Sequence, residues 1–195
     1  EVIADMLFSL KLKVSKEAAT ALFTGLVTDS GRFQYSDTTP KSLMIASFLL
    51  SQGVDAQAIY DKLYVETIES KKLKAKFTEK MQLTDKNVAY IFNTKEDLEA
   101  LGLDFSTVSR GMVNVMSGIE GINIWANFTY DATVDKVICE FRSRGMSIVD
   151  IAKKYGGGGH DQACGATIDS FEVAKEVLAD FDKRMEEFLS GAYTK

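Results

Sequence analysis

Histidine occurs once in these 195 residues, proline once and cysteine twice. The single histidine, His160, excludes a His-Glu-x-x-His zinc protease and any multi-histidine metal centre built from this chain alone. Metal chemistry must then rely on carboxylates or on residues outside the sequence. Cys139 and Cys164 form no Cys-x-x-Cys pair and cannot supply a zinc knuckle. Two free thiols fit a reducing compartment, so a cytoplasmic protein is expected. Long apolar runs are missing as well. Residues 43–46 and 48–50 fall far short of the roughly 20 residues a membrane span needs, and no charged-then-apolar leader opens the chain. Positive charge is not in excess. A formal charge of −5 argues against wholesale wrapping of duplex nucleic acid, while leaving room for a local basic site for a small phosphate ligand. With 46% hydrophobic and 26% charged residues the chain forms a core, as one large domain or two small ones.

The first third carries apolar residues on a helical period. Ile3, Met6, Leu7 and Leu10 make one stripe, and Ala18, Leu22 and Leu26 another, with Ser15 as N-cap of the second helix. Pro40 opens a further helix that ends near Gly53, and a short one follows over 56–64. Residues 66–82 carry Lys71, Lys72, Lys74, Lys76 and Lys80 among few apolar positions, and read as a solvated helix joining two units. A basic strip facing nucleic acid is the alternative. After residue 83 the pattern changes. Runs at 88–92, 122–130 and 137–141 read as strands, the last two joined as a hairpin across 131–135. A helix is expected over 107–119 and a short one over 147–154. The last helix is the clearest, with Phe171, Ala174, Leu178, Phe181, Met185 and Phe188 at spacings of three and four. Asp169 with Glu172 offers it a capping-box-like start. It can pack on its own sheet or on a second subunit, so a homodimer is carried as an expectation. The fold class is α/β, helix-rich in its first unit.

Three places can hold chemistry. The first runs Gly156-Gly157-Gly158-Gly159-His160-Asp161-Gln162-Ala163-Cys164-Gly165. Glycine in regular structure costs roughly 1 kcal/mol per residue relative to alanine, so four in a row call for a reason. Backbone that approaches a ligand closely, with N–H groups free for anionic oxygens, is one. The histidine that follows brings a proton donor or acceptor to the same spot. A flexible loop beside a packing histidine is the bland alternative. No Gly-Lys-Ser/Thr follows, so this is not a Walker loop. The second is Phe141-Arg142-Ser143-Arg144-Gly145 at a strand end, where arginines can grip a terminal phosphate in bidentate fashion. The third is Thr28-Asp29-Ser30-Gly31-Arg32-Phe33, a carboxylate at a helix end beside glycine. That arrangement suits a hard divalent cation, and equally an ordinary cap or turn.

Taken together, these segments resemble a known family. Gly157-Gly158-Gly159-His160 with Ala163 and Gly165 looks like the signature of the DHHA1 domain of the DHH phosphoesterases, and residues 141–145 look like the strand before it. Residues 28–33, followed by Tyr35-Ser36 and Thr38-Thr39, are similar to the last motif of the DHH domain itself. The likeness is strongest to the NrnA-type branch, whose members degrade short oligoribonucleotides and often remove the 3′-phosphate of pAp. It implies a C-terminal piece of a DHH domain over 1–65, a connector over 66–82 and an α/β DHHA1 domain with a mixed sheet over 83–195. It further implies manganese as cofactor, with Asp29 as a ligand. Arg142, Ser143 and His160 would hold the substrate phosphate, with His160 in the catalytic site. Gly157, Gly158 and Gly159 would form the loop beneath, and Arg144 would add a basic group. The implied mechanism is metal-assisted hydrolysis, in which metal ions acidify a bound water and offset charge on the phosphoryl group. The name-giving Asp-His-His is absent, and one histidine cannot supply it. The resemblance therefore implies a C-terminal fragment, catalytically incomplete alone, in which stripes such as Ile3, Leu7 and Leu10 lack partners and drive self-association. A cyclic-dinucleotide phosphodiesterase, a polyphosphatase and a nucleic-acid-binding module are the competing expectations.

Overall fold

The computed structural model describes residues 1–35 and 38–193; Ser36, quoted in the DHH-like motif, lies outside them. The chain divides into two compact units, Glu1–Thr67 and Ile68–Lys195.

The first unit is helical, with α1 (Val2–Ser9), α2 (Lys16–Asp29), α3 (Pro40–Ser51) and α4 (Ala56–Tyr64). Polar side chains start these helices by accepting otherwise unpaired N–H groups. Ser15 Oγ accepts from the Ala18 N–H at 3.2 Å, and Asp55 accepts from the Ala58 N–H at 3.0 Å. Thr39 and Ser42 form a reciprocal capping box around Pro40. The core is built from Ala4, Ala19, Phe23, Leu26, Val27, Ile45, Leu49 and Ile59. One expected stripe is shifted in part and the other lies open. In α2 the buried line is Ala19, Phe23 and Leu26, while Ala18 is exposed. In α1 only Ala4 is buried, and Ile3, Met6 and Leu10 face solvent.

The second unit begins with α5 (Ile68–Lys80). The expected connector is therefore part of this unit, because its Phe77 is buried against Ile91, Val108 and Met116. Next come β1 (Gln82–Leu83), β2 (Ala89–Asn93), α6 (Lys95–Leu101), α7 (Phe105–Met112), a 3-10 turn (Val113–Met116), β3 (Ile124–Asp131), β4 (Lys136–Ser143), α8 (Val149–Lys154), β5 (Gly158–His160), β6 (Ala163–Ile168) and α9 (Phe171–Leu189). The strands form one mixed sheet in the order β1-β2-β3-β4-β6-β5, with β2 and β3 parallel and the other pairs antiparallel. The parallel pair is joined through α6 and α7, as a crossover requires.

Successive strand residues point to opposite faces. One face of β4 presents Val137, Cys139, Phe141 and Ser143, all buried. Here Phe128, Phe141 and Phe181 stack edge to face at centroid separations of 5.8 and 5.0 Å, under α8 and α9. α9 therefore covers its own sheet. Its N-cap is Ser170, which accepts from the Val173 N–H, rather than Asp169, which pairs with Lys136. The other face is covered by α5, α6 and α7 over β2 and β3. Asn93 and Asn127 pin this layer from inside. The Asn93 amide donates to Asn127 Oδ1 and Thr129 Oγ1, and the Asn127 amide donates to the carbonyls of Val108 and Ser109 at 2.7 Å. Over β6 and β5 that face is open, with Thr167 and His160 exposed.

Candidate substrate-binding site

The second half of the glycine run is a strand rather than a loop. Gly158, Gly159 and His160 pair with Gly165, Cys164 and Ala163 to form the edge of the sheet. On its other side Ala163 pairs with Arg142. Arg142, Ala163 and His160 therefore lie in one straight row on one face, with a methyl group as the only side chain between the two polar ends. Two strand spacings separate those ends by about 10 Å. The next row is Glu140, Gly165 and Gly158. The outcome is a shallow platform, floored by alanine and glycine and flanked by a guanidinium and an imidazole.

Each glycine has its own reason. A Cβ on Gly157 would lie 2.0 Å from the Gly165 carbonyl oxygen, and one on Gly159 would meet the Ala163 carbonyl at 2.7 Å, at a φ of +134°. Gly156 sits at φ +73° in the turn after α8. Gly158 differs from all three. Its backbone is unexceptional and a Cβ there would meet nothing within 4 Å. Packing does not require glycine at this position, and its open side belongs to the platform.

Arg142 is held in place. Nη2 donates to Glu140 Oε2 at 3.2 Å and Nη1 to the Phe141 carbonyl at 2.8 Å. Its side chain is 24% exposed, so the charge sits at the surface with its stem covered. Glu140 also accepts from Nε of Arg110 on α7 at 3.3 Å. His160 is exposed and its ring makes no hydrogen bond among the described residues. The turn that follows it is fixed from beneath. The Ile148 N–H donates to the Asp161 carbonyl at 2.8 Å and Ser147 Oγ to the Asp161 carboxylate at 3.1 Å. Ser147 is in turn tied to α9 by Arg184, which donates to its carbonyl, and to Tyr193 Oη, which accepts its N–H at 2.8 Å.

Other expected site residues are placed elsewhere. Ser143 lies on the opposite face, buried, with its hydroxyl donating to the Met146 carbonyl at 2.6 Å. Arg144 donates to the Ile122 carbonyl at 3.2 Å and braces the loop before β3. Asp29 ends α2 in the first unit, exposed. Beside it Gly31, Arg32 and Phe33 all adopt left-handed backbone, a run that costs energy at the two non-glycine positions. A Cβ on Gly31 would fall 2.5 Å from the ring of the exposed Tyr35, which would have to swing aside. No group of three or more His, Cys, Asp or Glu side chains able to hold a metal ion occurs among the described residues. A manganese site would take several such donors, and Asp29 alone does not make one. Both thiols are buried, which pushes Cys164 up to about 11 and Cys139 higher still. Glu140 and Arg110 were missed in the sequence. Glu140 was within reach, being two residues before Arg142 and so on its face; Arg110 depends on where α7 lands.

With this geometry in hand, comparison with known proteins is specific. Residues 104–191 match the DHHA1 domain family, so the second unit carries a DHHA1 domain. The likeness continues beyond that domain. The chain is 32% identical over 187 residues to the bifunctional oligoribonuclease and PAP phosphatase NrnA of Bacillus subtilis, covering 92% of this chain and 59% of that protein. It is 34% identical over 185 residues to the protein of the same name in Mycoplasma genitalium, covering 95% and 57%. Among solved structures, an exopolyphosphatase-related protein from Bacteroides fragilis superposes with a TM-score of 0.78 at 27% identity, over 89% of this chain and 53% of that one. The chain thus spans somewhat more than half the length of the curated relatives it matches. The resemblance read from the motifs holds, as does the fold class it implied. Among the described residues no helix is long and apolar enough to cross a membrane.

Proposed function

We propose that this chain is the substrate-holding part of an NrnA-like phosphoesterase, and that the platform between Arg142 and His160 receives a phosphate of a short oligoribonucleotide or of pAp. The observation that carries the reading is the straight row Arg142–Ala163–His160 beside the open side of Gly158. Arg142 supplies a fixed, charge-assisted donor, and such bonds are worth roughly 1.5–3 kcal/mol each. His160 supplies a second, adjustable donor. The small floor lets a nucleotide lie close to the sheet. Support comes from relatives named for both activities. Manganese-dependent hydrolysis belongs to this proposal as a property of the complete enzyme. Manganese would acidify a water and offset phosphoryl charge there; the donor set of the described residues of this chain does not fit it. This chain's own residues bind and orient the phosphate.

Displacement of bound, fluorescently tagged AMP tests the substrate class. A ribodinucleotide and pAp should displace it at concentrations at least about tenfold below those needed of a cyclic dinucleotide or of polyphosphate. Tighter binding of either of the latter would move the reading to a cyclic-dinucleotide phosphodiesterase or a polyphosphatase.

A further inference from the structure

We infer that Arg110 and Arg142 form a two-arginine cradle for successive phosphates of one single-stranded oligonucleotide, with Glu140 as the positioning residue between them. The inference rests on the platform reading above and extends it from one phosphate to two.

Glu140 stands on the platform face of β4, with its side chain only 15% exposed. One carboxylate oxygen accepts from Arg142 Nη2 and the other from Arg110 Nε. A carboxylate between two guanidinia holds them apart as well as in place. One phosphate cannot lie between them without displacing it, so the two guanidinia address two separate anions, Arg142 with the N–H bonds that Glu140 and the Phe141 carbonyl leave free. Arg110 is the less obvious member. It lies in the last turn of α7 and its side chain is 85% exposed. An ion pair that open to water contributes little to folding, so stability does not account for it. It spends only its Nε–H on Glu140. Among the described residues neither Nη group has a partner, which leaves the paired edge that fits two phosphate oxygens. The Nε bond restricts the side chain before any ligand arrives, which lowers the entropy lost on binding. Two arginines and one carboxylate give the patch a local excess of positive charge on a chain of net −5.

Calorimetric titration of the 195-residue chain with AMP, which has one phosphate, and with pApA, which has a terminal phosphate and an internal phosphodiester, separates the two subsites. The wild-type chain should prefer pApA. Arg110→Ala should weaken pApA about tenfold and leave AMP within twofold. Arg142→Ala should weaken both. Arg110→Lys keeps the charge without the fork and should stay close to the alanine variant. Glu140→Gln keeps the shape but releases both guanidinia, and should narrow the ratio of pApA to AMP affinity, a quantity a purely structural carboxylate would not change. For Arg110→Ala the slope of log affinity against log salt should fall by about 0.7 for pApA only. If the wild type binds both ligands and Arg110→Ala changes neither, or weakens both equally, the cradle is wrong and the platform stands. If the wild type binds neither, the platform is wrong and the cradle falls with it.

Discussion

Gly158 and Gly157 are neighbours with opposite duties, and alanine at each separates binding from folding. Gly157→Ala drives a methyl group into the β6 backbone and should destabilise the second unit by about 1–3 kcal/mol in a urea melt, as overpacking does. Gly158→Ala should melt within about 0.5 kcal/mol of wild type, yet lose affinity for AMP, because its methyl group enters the space left for the ligand. Equal stability losses in the two variants would mean that Gly158 also packs. At this scale the sequence marked the candidate residues and hid their arrangement. The glycine run and His160 stood out by composition, and Arg142 by its place at a strand end. The alternation that turns Ser143 inward while Arg142 turns outward was equally legible, as Phe141 and Ser143 share a face. What the sequence could not carry was the pairing of Ala163 with Arg142 on one side and His160 on the other, since strand order is set by contacts between distant segments.

Elements with strong local signals were read within a few residues. The helix beginning at Pro40 was marked by Pro40 and Gly53, and both it and the helix over 56–64 start at caps that act within a few positions. The hairpin of β3 and β4 followed from two β-type runs on either side of the turn segment 131–135. β5 and α6 went unseen for physical reasons. Glycine has low strand propensity, so β5 exists only because β6 offers it a partner and Gly157 and Gly159 allow close approach. α6 buries no residue fully and is started instead by the reciprocal box of Thr94 and Asp97. The start of α9 gives a direct check on capping. Ser170→Ala should cost about 1 kcal/mol in a urea melt, whereas Asp169→Ala, which removes only an exposed ion pair, should cost less than about 0.5 kcal/mol. The reverse order would restore Asp169 as the cap. The link between α8 and α9 is sensitive to acid. Hydrogen bonding from Arg184 holds the Asp150 carboxyl below its ordinary value of 3.8. A carboxyl depressed in the folded state stabilises it fully above the unfolded value and loses that effect as pH falls through the folded one. The protection of α8 amides, taken as the exchange rate relative to that of an unstructured amide at the same pH, should therefore fall below about pH 4, where unpaired carboxylates protonate. Arg184→Ala should show the lower protection already at neutral pH. Protection indifferent to both changes would show that apolar packing alone holds α8.

At the scale of the whole molecule two chemistries stand apart. The second unit has a closed core and an open polar platform. The first unit leaves Val2, Ile3 and Met6 of α1, Leu10 just after it, and Leu43, Met44 and Leu50 of α3 exposed. Apolar surface of that extent favours association, so sedimentation of the 195-residue chain should show self-association that weakens in Ile3→Lys/Leu10→Lys; a strict monomer would show that the exposed side chains do not form one adhesive patch. Asp29 lacks companion donors among the described residues. Manganese titration followed by electron paramagnetic resonance should give no site tighter than about 1 mM, or ~4 kcal/mol. Saturation at micromolar manganese would mean that the chain holds a metal centre of its own.

The central claim, a phosphate platform built from Arg142 and His160, is tested most directly by calorimetric titration with AMP and pAp beside adenosine. Both nucleotides should bind saturably and adenosine not at all, with each of Arg142→Ala and His160→Ala weakening AMP by about tenfold, or ~1.4 kcal/mol. Adenosine binding as tightly as AMP, or affinities unmoved by either substitution, would contradict it.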